Sequence, residues 1–173
     1  NMNLRRVETV SVNSGAVISY MHNAIGDGIG KIGVLVGLES DADGAALEGT
    51  GKQLAMHVAA ANPQSISRDD LDPDLVQRER DVLSQQARDS GKPENIIEKM
   101  VEGRLRKFYE EICLMDQTFV IDGESKVSQA VEAAAKELGA SITVKGFCRF
   151  ALGDGVEKKE EDFAAEVAAA VAS

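Results

Sequence analysis

Two histidines and two cysteines, His22, His57, Cys113 and Cys148, are the side chains here best suited to metal or nucleophilic chemistry. A structural zinc site needs four such ligands at short, paired spacings, and a disulfide scaffold needs more cysteines in less chain. Neither pattern is present. No spacing sets a cysteine beside a histidine as nucleophile and base. Cys148 lies in the apolar run Ser141–Leu152 and is expected in the core. An isolated histidine is expected to be a surface residue or a hydrogen-bonded core residue, so neither His22 nor His57 is read as a ligand.

Three glycine-bearing or acidic stretches could hold phosphate or calcium. Gly28-Ile29-Gly30-Lys31-Ile32-Gly33 fits the G-x-G-x-x-G spacing. That motif works when a strand precedes it and a helix follows, so that the phosphate meets the helix N-terminus. Here a turn and then a strand are expected, which makes a flexible hairpin loop the better reading. Gly49-Thr50-Gly51-Lys52-Gln53 lacks the upstream glycine and the hydroxyl of a P-loop. Asp41-x-Asp43-Gly44 lacks the later oxygens of a calcium loop and has Lys52 where the bidentate Glu belongs. It reads as a helix cap. No cofactor or metal is expected, and an enzyme is the weaker class; its one remaining route is nucleotide binding through the Gly-rich loop.

The elements around these residues follow from periodicity. Arg5–Asn13 and Gly15–Asn23 read as two strands parted by the Asn13-Ser14-Gly15 turn, and Ile32–Ser40 as a third, with Ile32, Val34, Val36 and Leu38 on one face. The stretch from Asp41 to Asn62-Pro63 reads as a helix that begins at capping aspartates. Two apolar stripes follow within 71–112, one through Leu75, Val76, Val82, Leu83 and Ala87, the other through Ile97, Val101, Leu105, Phe108 and Ile112. Gly91 suits the left-handed residue after a helix, and Pro93 the first turn of the next. Together these predict an antiparallel helical hairpin. Ser125 is expected to cap a helix that ends at Gly139. Ser141–Leu152 reads as a strand with Ile142, Val144, Cys148, Phe150 and Leu152 inward, and 160–173 as a C-terminal helix. Strands first, helices in the middle and a strand near the end imply one domain over 1–173 of the α+β class: a two-layer, three-stranded antiparallel sheet packed on helices.

Composition sets the outer limits. The 173 residues are 43% hydrophobic but only 4% aromatic, with no Trp, so the core must be aliphatic. A net charge of −10 argues against direct nucleic-acid binding and fits a surface that docks on a basic partner patch. No apolar run reaches membrane-spanning length, and the cysteine usage suits a reducing cytoplasm. Position 1 is not Met and no apolar signal region follows, which suggests a piece of something longer.

The run SGKPENIIEKMVEGRLRKF, Ser90–Phe108, strongly resembles bacterial translation elongation factor Ts. So do Asn1–Arg6 (NMNLRR), Lys31–Ser40 (KIGVLVGLES), Ala55–Pro63 (AMHVAAANP), Phe119–Asp122 (FVID) and Glu161–Ala169 (EDFAAEVAA), in family order and over nearly the whole chain. The resemblance implies a guanine-nucleotide exchange factor that binds elongation factor Tu·GDP and promotes GDP release. It also implies a sheet on helices with a protruding hairpin, agreeing with the reading above. By resemblance, Tyr20, Met21, His22, Lys52, Met56, Val120 and Ile121 match positions that touch elongation factor Tu, mainly its third domain. Phe163 matches a secondary contact.

Residue character adds support to that carry-over. His22 is expected at a strand end, Lys52 on a helix, and Val120-Ile121 in a connecting segment whose apolar side chains suit an interface centre; their alternative place is the core. The family's N-terminal module, with the Thr-Asp-Phe-Val motif that intrudes near the bound magnesium, has no match here; Asp162-Phe163 is not that motif. A self-association module without exchange activity is the alternative function, because the family's hairpin region can serve that role.

Overall fold

Val34, Val36 and Leu38 alternate with Gly33, Leu35 and Gly37, and this period of two makes a strand with one apolar face. In the computed structural model, which describes residues 6–155, that stretch is the centre of a three-stranded antiparallel sheet. Strand β1 (Gly15–Gly26) turns at Asp27-Gly28 into β2 (Ile29–Glu39), and β3 (Thr143–Ala151) pairs along the other side of β2. Four helices lie between β2 and β3: α1 (Gly44–Ala61), α2 (Pro73–Asp89), α3 (Glu94–Ile112) and α4 (Val127–Leu138). The α+β class and the three-stranded antiparallel sheet are as the sequence implies. The C-terminal helix expected over 160–173 lies outside the described residues.

Helix α1 forms the second layer. Asp43 caps it by accepting from the Ala45 N–H at 3.1 Å, and Asn62 ends it in the left-handed conformation at φ 50°. Its face of Leu47, Leu54, Ala55 and Val58 meets Ile18, Val34, Val36 and Leu38, with Val127 and Val131 of α4 and Leu114 and Phe119 completing the cluster. The helix comes close to β1 at Gly51, where a Cβ would stand 2.5 Å from the Ile18 side chain. Only glycine lets the helix lie this low on β1.

Two expectations about strands are corrected. Residues 6–12 form no strand; Val10 and Val12 instead press on the sheet's outer face at Gly37, where a Cβ would come within 2.9 and 3.1 Å of them. Arg6 stacks 4.7 Å above the Phe150 ring on the same face. Apolar alternation reports a half-buried surface fit, and here the fit is made without ladder hydrogen bonds. The second correction is the inward face of β3. Gly37 pairs with Gly146 but Leu38 pairs with Val144, so Lys145 is an extra residue and the alternation changes sides. Ile142, Val144 and Phe147 pack on the core, and Arg149 donates to the Ala59 carbonyl of α1 at 3.2 Å. Cys148 and Phe150 therefore face outward, half-buried, and Leu152 is exposed.

The hairpin of α2 and α3 carries its own core. Leu83 and Ala87 pack on Ile97, Val101 and Leu105, and none of these belongs to the main cluster. Gly91 turns the chain at φ 69°, and Pro93 stands immediately before the first residue of α3. The base is tied down separately. Leu71, Ile112 and Cys113 form a small cluster there, and the Arg68 guanidinium grips Asp116 at 2.6 and 2.9 Å while lying 4.8 Å from the Tyr109 ring centre. Because the two cores are distinct, they should open independently. Val101→Asp is expected to abolish amide-exchange protection in α2 and α3 while β2 amides keep theirs; a parallel loss in β2 would show a single cooperative core.

Candidate functional site

Alternation along β1 places Tyr20 and His22 on the same side as Ile18, facing α1. The Tyr20 hydroxyl and His22 Nδ1 are hydrogen-bonded at 2.9 Å. This fixes the His22 ring opposite Ile32, two residues before Ala24, after which the register shifts between Ala24 and Gly26. Met21 points the other way. It covers Gly30 and Gly33 on the outer face and lines an open cavity of about 420 Å³ with Leu35, Cys148 and Phe150. The structure thus separates Met21 from Tyr20 and His22 by the thickness of the sheet.

Lys52 and Met56 are one turn apart on α1 and both face solvent. Lys52 follows Gly51, so it stands beside the point where the helix crosses β1. Met56 is 38% exposed, and its neighbour His57 is fully buried. Val120 and Ile121 lie at the turn of a tight loop, 47% and 43% exposed, while Phe119 before them is in the core. The core alternative for Val120 and Ile121 is therefore not what the structure shows. Phe163 lies outside the described residues.

The loop that presents Val120 and Ile121 is closed by its own hydrogen bonds. Phe119 N–H donates to the Ser125 carbonyl at 2.7 Å and Gly123 N–H to the Phe119 carbonyl at 2.8 Å. Asp122 accepts from the backbone of Glu124 and Ser125 and from the Ser125 hydroxyl, and these bonds hold its carboxyl below the usual carboxylate range. Ser125 does not cap α4, because the cap position is Lys126, one residue later; there the Gln129 side chain reaches back and accepts from Lys126 N–H at 2.9 Å.

Sequence reasoning missed the partner of that loop. His57 Nδ1 accepts from the Val120 N–H at 3.2 Å, so the proton of the neutral ring sits on Nε2, which donates to Gln117 Oε1 at 2.9 Å. Gln117 in turn donates through Nε2 to the Glu111 carbonyl in the last turn of α3 at 2.6 Å. The Phe119 ring lies 5.7 Å from the imidazole. His57 and Gln117 are 60 residues apart, and nothing in the local spacing of either announces the pair.

The remaining chemistry is structural. Gly28 makes the β1–β2 turn at φ 67°, and Gly30 and Gly33 lie in β2, so no helix N-terminus follows the glycine motif. Cys113 is buried with its thiol pushed up by desolvation, and Cys148 is shifted the same way; both are free thiols. Among the described residues no group of three or more His, Cys, Asp or Glu could hold a metal, and no helix is long and apolar enough to cross a membrane.

Burial holds the His57 imidazole below its ordinary value of 6.5, the Gln117 bond opposing part of that shift. The unfolded chain therefore takes up a proton at a higher pH than the folded chain does. Stability contributed by neutral His57 is fully present above about pH 6.5 and is lost as pH falls through the lower folded value. Urea unfolding at pH 7.5 and 5.5 should show a drop that is smaller in His57→Gln. An equal drop in both proteins would assign the acid sensitivity to other groups.

Comparison with known proteins adds the family. The family model for elongation factor TS matches residues 1–154. The chain is 58% identical over 170 residues to elongation factor Ts of Parvibaculum lavamentivorans, covering 98% of this chain and 55% of that protein. Against elongation factor Ts of Rhodospirillum rubrum the identity is 59% over 169 residues, again 98% of this chain and 55% of the relative. That of Rhizobium etli is 56% identical over 171 residues, 99% of this chain and 56% of the relative. The chain spans about half the length of these relatives. On this match over most of its length, the chain belongs to the elongation factor Ts family.

Proposed function

We propose that this chain is a docking part of a guanine-nucleotide exchange factor, acting in the cytoplasm on elongation factor Tu in its GDP-bound form. The observation that carries the reading is the exposed apolar pair Val120-Ile121 on a hydrogen-bonded loop, with exposed Met56 on the helix whose next residue holds that loop. Apolar side chains held outward by a rigid scaffold are what an interface centre needs, and Lys52, Tyr20 and His22 supply the polar rim. Phe163 would add a secondary contact. Met21, on the other face of the sheet, would act only if the partner reaches round the strand end. No bond is made or broken in exchange, so the factor needs no catalytic residues. A protein that prefers the nucleotide-free partner weakens nucleotide binding by the same factor.

Val120→Asp and His22→Ala should each weaken binding to elongation factor Tu while shifting the melting temperature little. Affinity is read by calorimetry and stability by thermal melting on the same samples; equal losses of both would return these residues to a purely structural role.

Docking by this surface supplies affinity more than preference. By resemblance it grips the partner's third domain, remote from the nucleotide, and a ligand that binds both states equally shifts nothing. Stopped-flow release of labelled GDP at saturating protein should therefore be accelerated far less by these 173 residues than by a full-length relative. Matching acceleration would place the exchange chemistry within this chain. A second reading, self-association through the hairpin, is favoured by Val82 and Ile96, which are exposed on α2 and α3.

A further inference from the structure

We infer that His57 is a positioning residue: its Nδ1 fixes the Val120 turn and so sets how well the Val120-Ile121 loop is preorganised for a protein partner. The inference rests on the docking reading above and goes one layer beneath it.

Three observations carry it. His57 is fully buried, yet its one free acceptor is spent on the backbone of an exposed residue. A buried imidazole left without a partner is costly, so the ring and the Val120 N–H hold each other in place. Its other nitrogen is committed to Gln117, which is committed in turn to the end of α3, so the ring cannot rotate to serve another donor. Finally, His57 directly follows Met56. Successive helix residues point roughly 100° apart, so the backbone that sends Met56 outward sends the ring inward to the loop. The two apolar parts of the surface are thereby held in one register.

A loop that must be ordered on binding gives up part of its contact energy to that ordering, whereas a loop already fixed does not. His57 thus contributes to affinity without touching the partner. A merely space-filling role is separable from this one, because the two ring nitrogens can be mimicked one at a time. In His57→Asn the amide oxygen stands near the Nδ1 position and keeps the acceptor for Val120. In His57→Gln the amide nitrogen stands near Nε2 and keeps the donor to Gln117, but the acceptor is lost.

The experiment measures three quantities on the whole chain for wild type, both His57 variants and Val120→Asp. These are thermal stability, hydrogen exchange of the Val120 amide, and affinity for elongation factor Tu. His57→Gln should raise Kd roughly fivefold, the factor that one hydrogen bond of ordinary net strength sets, and speed Val120 exchange. His57→Asn should leave both near wild type even if it melts earlier. Equal affinities for the Asn and Gln variants would overturn the inference. If Val120→Asp itself binds as wild type does, the docking reading has failed and this inference with it. Weak binding by Val120→Asp beside unchanged binding by His57→Gln would sink the inference alone.

Discussion

The close approach of α1 to β1 at Gly51 is the constraint on which the rest of the arrangement depends. With no Cβ at that crossing, the helix settles onto Ile18 and brings Leu47, Leu54 and Val58 down to the central strand. The same settling fixes what stands on either side of the crossing. Lys52 is lifted to the helix's outer surface, Tyr20 and His22 lie further along the strand, and His57 is driven into the layer beneath Phe119. A larger residue at this point would raise the helix, and every one of these relations would change together. Overpacking a site of this kind costs about 1–3 kcal/mol, but the geometric loss would matter more than the energy.

The second organising device is polar. Buried donors and acceptors must be paired, and the core of this domain meets the rule with a short relay from the α3 carbonyl of Glu111 through Gln117 and His57 to Val120. Such a relay adds little net stability. It selects one arrangement among the many that an aliphatic core of Val, Leu and Ala would otherwise tolerate. The hairpin base and the loop that carries the exposed apolar pair are thus joined by directional bonds, although their hydrophobic clusters are separate.

Much of this could be read from the residues. Val34, Val36 and Leu38 gave strand β2 by alternation, Asp43 and Asn62 bounded α1, and the stripes around Gly91 announced the hairpin, because each signal is local and repeats. The errors fall where a local pattern admits two physical outcomes. Val10 and Val12 alternate as strand residues do, yet they cover glycines instead of pairing. The single extra residue Lys145 turned Cys148 and Phe150 to the opposite face, and a bulge of that kind leaves no mark in hydropathy. Ser125 looked like a helix cap, but the cap position is Lys126, one residue later, and the Ser125 hydroxyl donates to Asp122 within the loop. The exposed loop pair entered through family resemblance; for His57 a hydrogen-bonded core place was one of two expectations, but its partners Gln117 and Val120 lie across the fold and left no local signal.

The extra residue on β3 has another side to it. Within the described residues the sheet has two outer edges, β1 and β3, and an edge strand presents backbone groups on which a foreign strand can grow. Both edges are interrupted: β1 between Ala24 and Gly26, with Asn23 at φ 51°, and β3 at Lys145. A bulge breaks the regular spacing that a second sheet would need, and on β3 the inserted residue also carries a charge. Irregularities that spoil a reading of strand faces also guard a small acidic domain against templating its own aggregation.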